Sequence, residues 1–426
     1  MKTSELRIAL QTGAMDARLS YLYGADAVKS QKERYLAALS SFEELYGEDR
    51  DADFYSVAGR SELSGNHTDH NHGCVVAASI DLDIIAVASP NRGHTIRVKS
   101  EGYPEDVVDF DAYSAPDPAK YGKSLALIAG MATGFRNKGY NICGFDAYTT
   151  SSVLKGSGIS SSAAFEDMIG NILNYLANEG KVSNVEIAKL AQYAENVFFG
   201  KPCGLMDQMA CAVGGIIAID FENPKQPVIE QIGFDMNAHG YHLCLVNTGG
   251  NHADLTDDYA SVPAEMKSVA AYFGKSVLRE VEESKLMKKL PELRVAVGDR
   301  AVLRALHYFE ENRRVVAQQA ALKAEDLDTF FENVIASGRS SFCYLQNVYT
   351  TKNVREQGLS LALCLAEKLL AGKRAAWRVH GGGFAGTIQA FVPSELVGSF
   401  QSAMDGVFGT GSCLVLRIRP VGAVKL

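Results

Sequence analysis

Residues 54–99 constrain the fold more than any other part of the chain. Their β-branched and apolar runs, above all VVAASIDLDIIAVASP at 75–90, are broken by Gly, Asn and Pro and predict several strands of one sheet. Between two of these strands lies AGRSELSGNHTDHNHG (58–73), which crowds Arg60, Asn66, His67, Asp69, His70 and His72 into one short stretch. So polar a segment is buried only with a ligand or dense hydrogen bonding. A solvated loop with an Asx turn accounts for the same residues without a ligand. A histidine-rich metal site fits less well, because amide and carboxylate neighbours at this spacing form no recognised ligand set.

Helical periodicity frames that sheet. Tyr35, Leu36, Leu39, Phe42 and Leu45 give an amphipathic helix over 31–47 that ends at Gly47. A strand over 142–150 runs into GSGISSSAA (156–164), and Phe165, Ile169, Ile172 and Leu173 then restore the helical period. A further helix over 185–199 ends at Gly200 and is followed by GKPCGLMDQ (200–208) and a strand, GGIIAIDF. Beyond about residue 225 come a strand (YHLCLVN), charged helices between 263 and 371, and the strands AAWRV and TIQAFV around a triple-glycine loop. At 426 residues the chain is long enough for two domains. With no low-complexity linker, an N-terminal domain over 1–228 and a C-terminal domain over 229–426 should pack with a cleft between them.

Composition narrows the function. Forty-two basic against fifty acidic residues give a net charge of −8 without long runs of one sign, which points away from nucleic acid and membrane partners. Eight cysteines without CxxC or Cys/His spacing read as buried, reduced thiols. The opening MKTSELRIALQTGAMDARLS has no continuous apolar core, and no stretch approaches the roughly 20 apolar residues of a membrane span. A cytoplasmic location is expected. Monomer and weak dimer both remain open.

Three segments besides 58–73 carry candidate chemistry. In GSGISSSAA, Gly156 and Gly158 remove side chains where an anion must approach, and the serines open a helix whose N–H groups and dipole favour negative charge. Ordinary turn and capping chemistry uses the same residues; the sequence is neither a Walker A loop nor a dinucleotide fingerprint. GKPCGLMDQ sets Asp207 in a turn of small residues, facing a cleft or capping the next segment. VHGGGFAG (379–386) has more glycines than a hairpin requires, which implies close approach of the backbone to something, or a flexible turn.

Together and in this order the four segments resemble the galactokinase branch of the GHMP kinases. GRSELSGNHTDHN (59–71) is similar to the family's GRVNLIGEHTDYN, SSSAA to its LSSSA loop, CGLMDQ to CGIMDQ and GGFAG to a GGFGG-type loop. The resemblance covers about 54–392. It implies a two-domain α+β GHMP kinase fold, an N-terminal mixed-sheet domain and a ferredoxin-like C-terminal domain with the active site between them. It also implies transfer of the ATP γ-phosphate to the anomeric hydroxyl of a sugar.

By position, Asp207 matches the catalytic aspartate and Arg60 the arginine that restrains it. Ser162 and Glu195 match the Mg²⁺ pair. Gly156, Gly158, Ser160, Ser161 and Ser162, with Gly382 and Gly383, would hold ATP, and Tyr121 falls where the family has an aromatic near adenine. Asn66, His67, Asp69, Gly204 and Tyr259 match the sugar contacts. Galactokinases usually carry glutamate at position 66, and here Ser61 and Glu62 replace a Val-Asn pair. With His70, shared with galacturonate kinases, the loss of that carboxylate makes galacturonate a rival to galactose. A non-catalytic sugar and ATP sensor is the alternative of another class, disfavoured by the intact SSSAA. HTDHN and CGLMDQ speak against a mevalonate- or homoserine-type kinase.

Overall fold

A computed structural model describes residues 1–153, 159–249 and 255–426. Twelve strands lie among the described residues: β1 (Asp53–Ser64), β2 (Cys74–Pro90), β3 (Thr95–Ser100), β4 (Glu105–Asp109), β5 (Phe145–Ser151), β6 (Ile216–Asp220), β7 (Val228–Ile232), β8 (Tyr241–Asn247), β9 (Ala376–Val379), β10 (Thr387–Pro393), β11 (Cys413–Leu416) and β12 (Val424–Lys425).

The first sheet runs β12-β1-β2-β5-β3-β4, with β6 pairing β2 and β7 pairing β6. All its pairings are antiparallel except β3 with β5. Its central strands β1 and β2 are buried along most of their length because both faces are covered. Alternation sends Tyr55, Val57, Ile84, Ala86 and Ala88 into one core with the helices Ser124–Asn137 and Ser161–Ala177. Phe54, Ile85 and Val87 face the other way, onto Tyr35, Leu39 and Phe42 of the helix Val28–Tyr46. That helix was legible in the sequence; the helices Thr3–Thr12 and Asp16–Tyr23, which complete the layer, were not.

The second sheet has the order β11-β8-β10-β9, all antiparallel. Counted along the chain this is 4-1-3-2, the ferredoxin-like order expected for the second half. The helices Gly358–Leu370 and Val397–Phe408 pack on it. The helices Thr256–Tyr272 and Asp299–Lys323 build a separate cluster around Met266, Val269 and Tyr308. Strand β7 continues the first sheet beyond residue 228, and the chain end returns to it: Ser56 pairs Val424 and Ile80 bridges Ile418. No described helix is long and apolar enough to cross a membrane. The thiols are all unpaired, but Cys343 and Cys364 are exposed, so the expectation that the cysteines are buried needs correcting.

Candidate active site

Strand β1 carries Arg60, and its register against β2 shifts at Ala58/Arg60 and again at Glu62/Ser64. Such irregularities re-aim side chains out of a pleat. Facing Arg60 is Asp207, in the first turn of the helix Met206–Val213, where the helix dipole favours an anion. Arg60 Nε donates to Asp207 Oδ1 and an Nη to Oδ2, both at 2.8 Å, a bidentate fork. The Ser160 hydroxyl donates to Oδ2 as well. Ser160 holds φ +62°, rare for a residue with a side chain, at the entrance to the helix Ser161–Ala177. Burial pushes the Asp207 carboxyl up, but the Arg60 charge, the hydrogen bonds of Arg60 and Ser160, and the Lys201 charge outweigh it and hold the group below the usual carboxylate range. Arg60 is almost fully buried, whereas the Asp207 side chain keeps 36% exposure, so the carboxylate can meet an incoming hydroxyl.

A second group of residues lies one step away. Glu195 sits in a π-helical turn, Ala194–Phe199, a distortion common at functional sites. Its Oε1 accepts from Ser162 Oγ at 3.3 Å and from Lys201 Nζ at 2.9 Å. Its Oε2 accepts from Gln208 Nε2 at 2.7 Å, and the same amide donates to Glu166 Oε2 at 3.2 Å. Glu166 is fully buried, and its Oε1 and the Gln208 Oε1 have no hydrogen-bond partner. One carboxylate, one hydroxyl and spare acceptors fit Mg²⁺, which binds few protein groups and relies on water and phosphate. Among the described residues no cluster of three or more His, Cys, Asp or Glu could hold a metal without such help. Lys201, Gln208 and Glu166 were missed as site residues. The first two lie within GKPCGLMDQ, and Glu166 is four residues after Ser162, on the same helix face.

The sugar side is only partly as expected. Gly204 lies against Asp69, since a Cβ there would stand 2.4 Å from Asp69 Oδ2. Burial pushes the Asp69 carboxyl up to about 6. His67 Nε2 bonds the Gly382 carbonyl at 2.9 Å, and burial lowers the imidazole's pKa. Tyr259 donates to the Gly383 carbonyl at 2.7 Å and packs on Gly382. The carbonyls of Gly382 and Gly383, expected to hold ATP, are thus bonded to His67 and Tyr259.

Asn66 also departs from expectation. It is fully buried, donating to Glu62 Oε1 (3.2 Å) and the Gly381 carbonyl (2.6 Å) and accepting from Ser341 Oγ (3.1 Å) and Asn347 Nδ2 (2.8 Å). That uses its hydrogen-bonding capacity and leaves none for a sugar. Glu62, four residues earlier, ion-pairs with buried Arg378 and acts electrostatically on both His67 and Asp69. The negative charge that position 66 lacks thus stays nearby, which undercuts the charge argument for galacturonate. His70 accepts from Asn71 Nδ2 at Nδ1 (2.8 Å), and burial holds it neutral. Ser161 is half-buried in the first turn of its helix. Tyr121 is 44% exposed and lies across Gly200, next to Lys201. Gly156 and Gly158 lie outside the described residues.

The fold, together with an arginine-clamped aspartate beside a serine-opened helix and a hydroxyl–carboxylate pair, defines a GHMP kinase: the GHMP kinases N terminal domain matches residues 126–215. The Methanococcus jannaschii mevalonate kinase structure shares this fold, with a TM-score of 0.61 at 13% identity over 86% of this chain and 98% of that one. Within the class, the galactokinase galactose-binding signature matches residues 40–90. The chain is 30% identical to a Streptomyces coelicolor galactokinase over 383 residues, 88% of this chain and 94% of that one. It is 31% identical to one from Actinobacillus pleuropneumoniae serotype 3, over 84% and 90% of the two chains. The crystal structure of Lactococcus lactis galactokinase complexed with galactose superposes with a TM-score of 0.78 at 26% identity, covering 92% of this chain and 100% of that one. This chain belongs to the galactokinase family.

Proposed function

We propose that the chain phosphorylates D-galactose at its anomeric hydroxyl, using ATP and yielding galactose 1-phosphate and ADP. The observation that carries the reading is the bidentate Arg60–Asp207 pair in a member of the galactokinase family. In the transfer the sugar O1–Pγ bond forms as the bond from Pγ to the ADP oxygen breaks, and the O1 proton passes to Asp207. Because Asp207 is held ionised and is a weak base, it acts mainly by orienting the hydroxyl and takes the proton as O1 loses basicity. Arg60 keeps the carboxylate in place, and Lys201 adds a cation beside it. Ser162 and Glu195 would hold Mg²⁺, which supplies charge neutralisation on the phosphates when bound. Asp69, His67, Gly204 and Tyr259 form the sugar side, and Ser160 to Ser162 with Tyr121 the nucleotide side. Unpaired thiols and a requirement for ATP fit a cytoplasmic location.

The test is ATP-dependent phosphorylation of galactose, galacturonate, N-acetylgalactosamine, glucose and arabinose, with the sugar phosphate identified by ³¹P NMR and Asp207→Asn as control. Turnover of galactose, reduced roughly 10²- to 10⁴-fold in the variant, is expected. Turnover of galacturonate alone would overturn the substrate, and no turnover of any sugar would overturn the activity.

A further inference from the structure

Gln208 immediately follows Asp207, yet its side chain turns away from the acceptor side and into the protein, where it is fully buried. Its Nε2 is shared between two carboxylates, Glu195 at 2.7 Å and Glu166 at 3.2 Å. Cys203 Sγ, at 3.5 Å, is the remaining neighbour of that nitrogen. Glu195 is therefore held at both oxygens, with Oε2 turned inward to the amide and Oε1 presented to Ser162 and Lys201. Without the amide Oε2 loses the Gln208 hydrogen bond and faces a second carboxylate, and Glu195 keeps Ser162, Lys201 and the Cys203 thiol as partners. Glu166 in turn steadies the amide, which would otherwise be held by Glu195 and the weaker Cys203 thiol alone.

We propose that Gln208, anchored by Glu166, is a positioning residue that sets the affinity of the Glu195–Ser162 pair for Mg²⁺. The inference rests on the reading that this pair holds the metal. Because Asp207 and Gln208 are consecutive on one helix turn, the residue that orients the acceptor hydroxyl and the residue that orients the metal ligand move together. Removal of an outer hydrogen bond to a metal ligand weakens metal binding roughly 10- to 100-fold, which sets the size of the effect.

The experiment is calorimetric titration of ADP into the full chain at a series of Mg²⁺ concentrations, for wild type, Gln208→Met, Gln208→Asn and Glu195→Gln. Expected for Gln208→Met is a rise of about tenfold or more in the Mg²⁺ concentration giving half-maximal tightening of ADP. Mg²⁺-free ADP affinity and the KM for galactose should stay within about twofold, with kcat falling at limiting Mg²⁺ and recovering at high Mg²⁺. Gln208→Asn keeps an amide one methylene too short to reach both carboxylates, so a smaller shift in the same direction is expected; it also serves if the methionine variant does not fold. A wild-type Mg²⁺ dependence in both Gln208 variants, or equal loss of ADP binding with and without Mg²⁺, would overturn the proposal. Unchanged Mg²⁺ dependence in Glu195→Gln would instead overturn the metal assignment on which it rests.

Discussion

Arg60 and Asp207 are useful only as a pair, because a guanidinium fork fixes both carboxylate oxygens while an ammonium fixes one. Arg60→Lys keeps the charge and loses the fork, so kcat should fall roughly 10²-fold with the galactose KM little changed, as steady-state kinetics would show. Asp69 differs in sign from Asp207. Its pKa is raised by burial to about 6, so it is neutral in acid and ionised above that value. If its carboxylate receives a sugar hydroxyl, kcat/KM for galactose should rise through about pH 6 to a plateau, and Asp69→Asn should remove this limb of the profile. Raised in the fold, the same pKa makes Asp69 an increasing liability to stability between about pH 4 and 6, so the pH profile must be read as a rate and not as unfolding. Position 66 gives a third test. Asn66→Glu puts a second carboxylate beside Glu62, whereas Glu62→Asn removes the short ion pair of buried Arg378 and leaves it only Glu311, at 4.0 Å. Breaking a buried pair costs about 3–5 kcal/mol, and the double exchange should recover part of that in urea denaturation because it restores one carboxylate for one arginine.

At the scale of elements, the site is made where loops cross at distances that exclude side chains. A Cβ at Gly383, which holds φ +80°, would stand 2.0 Å from the Asn347 carbonyl, so the triple-glycine loop can lie against 346–347 in no other way. Gly383→Ala should destabilise the protein and release Tyr259, read as a lower melting temperature and a higher galactose KM. Gly204→Ala is a milder probe of the opposite wall. Its Cβ would meet the end of the Asp69 side chain rather than backbone, so Asp69 can give way and the expected loss lies in galactose binding without a large loss of stability. Gly383 and Asn347 are both in the second half and Gly204 and Asp69 both in the first, and each crossing joins segments distant in sequence.

Across the whole molecule, the N-terminal helices and the chain end are locked to the sheet by one buried anion. Asp83, fully buried on β2, accepts from Tyr23, Arg34, Ser56 and Arg419, and the two arginines bring it below the usual carboxylate range despite the opposing effect of burial. Tyr23 comes from the leading helices and Arg419 from the return of the chain to the first sheet. Asp83→Asn should therefore cost about 3–5 kcal/mol in a chemical denaturation series. A depressed carboxylate stabilises above its unfolded pKa near 4, and the contribution is lost as pH falls through the lower folded value. The wild type should accordingly lose stability below about pH 4 more steeply than the variant. A comparable seam joins the halves at the sugar loop, where Glu311 accepts from the Gly65 and Asn66 N–H groups (3.2 and 3.3 Å) and from Ser337.

Local chemistry settled much of this in the amino-acid sequence. The apolar run of β2 demanded a sheet and the helical period of 31–47 a covering helix, since backbone conformation and short-range spacing are written within a few residues; a phosphate-transfer role for Arg60, Ser162, Glu195 and Asp207 came instead from the resemblance of their motifs, taken in order, to the galactokinases. What Asn66 and Glu62 face was not legible, because one residue of register at a bulge decides between the cleft and the seam. Nor was the use of the triple-glycine carbonyls by His67 and Tyr259, or the bond of Gln208 to Glu195 and Glu166. These partners lie tens to hundreds of positions apart, and only tertiary packing brings their polar atoms within hydrogen-bonding distance, between distant loops for the glycine carbonyls and between three helical segments for Gln208.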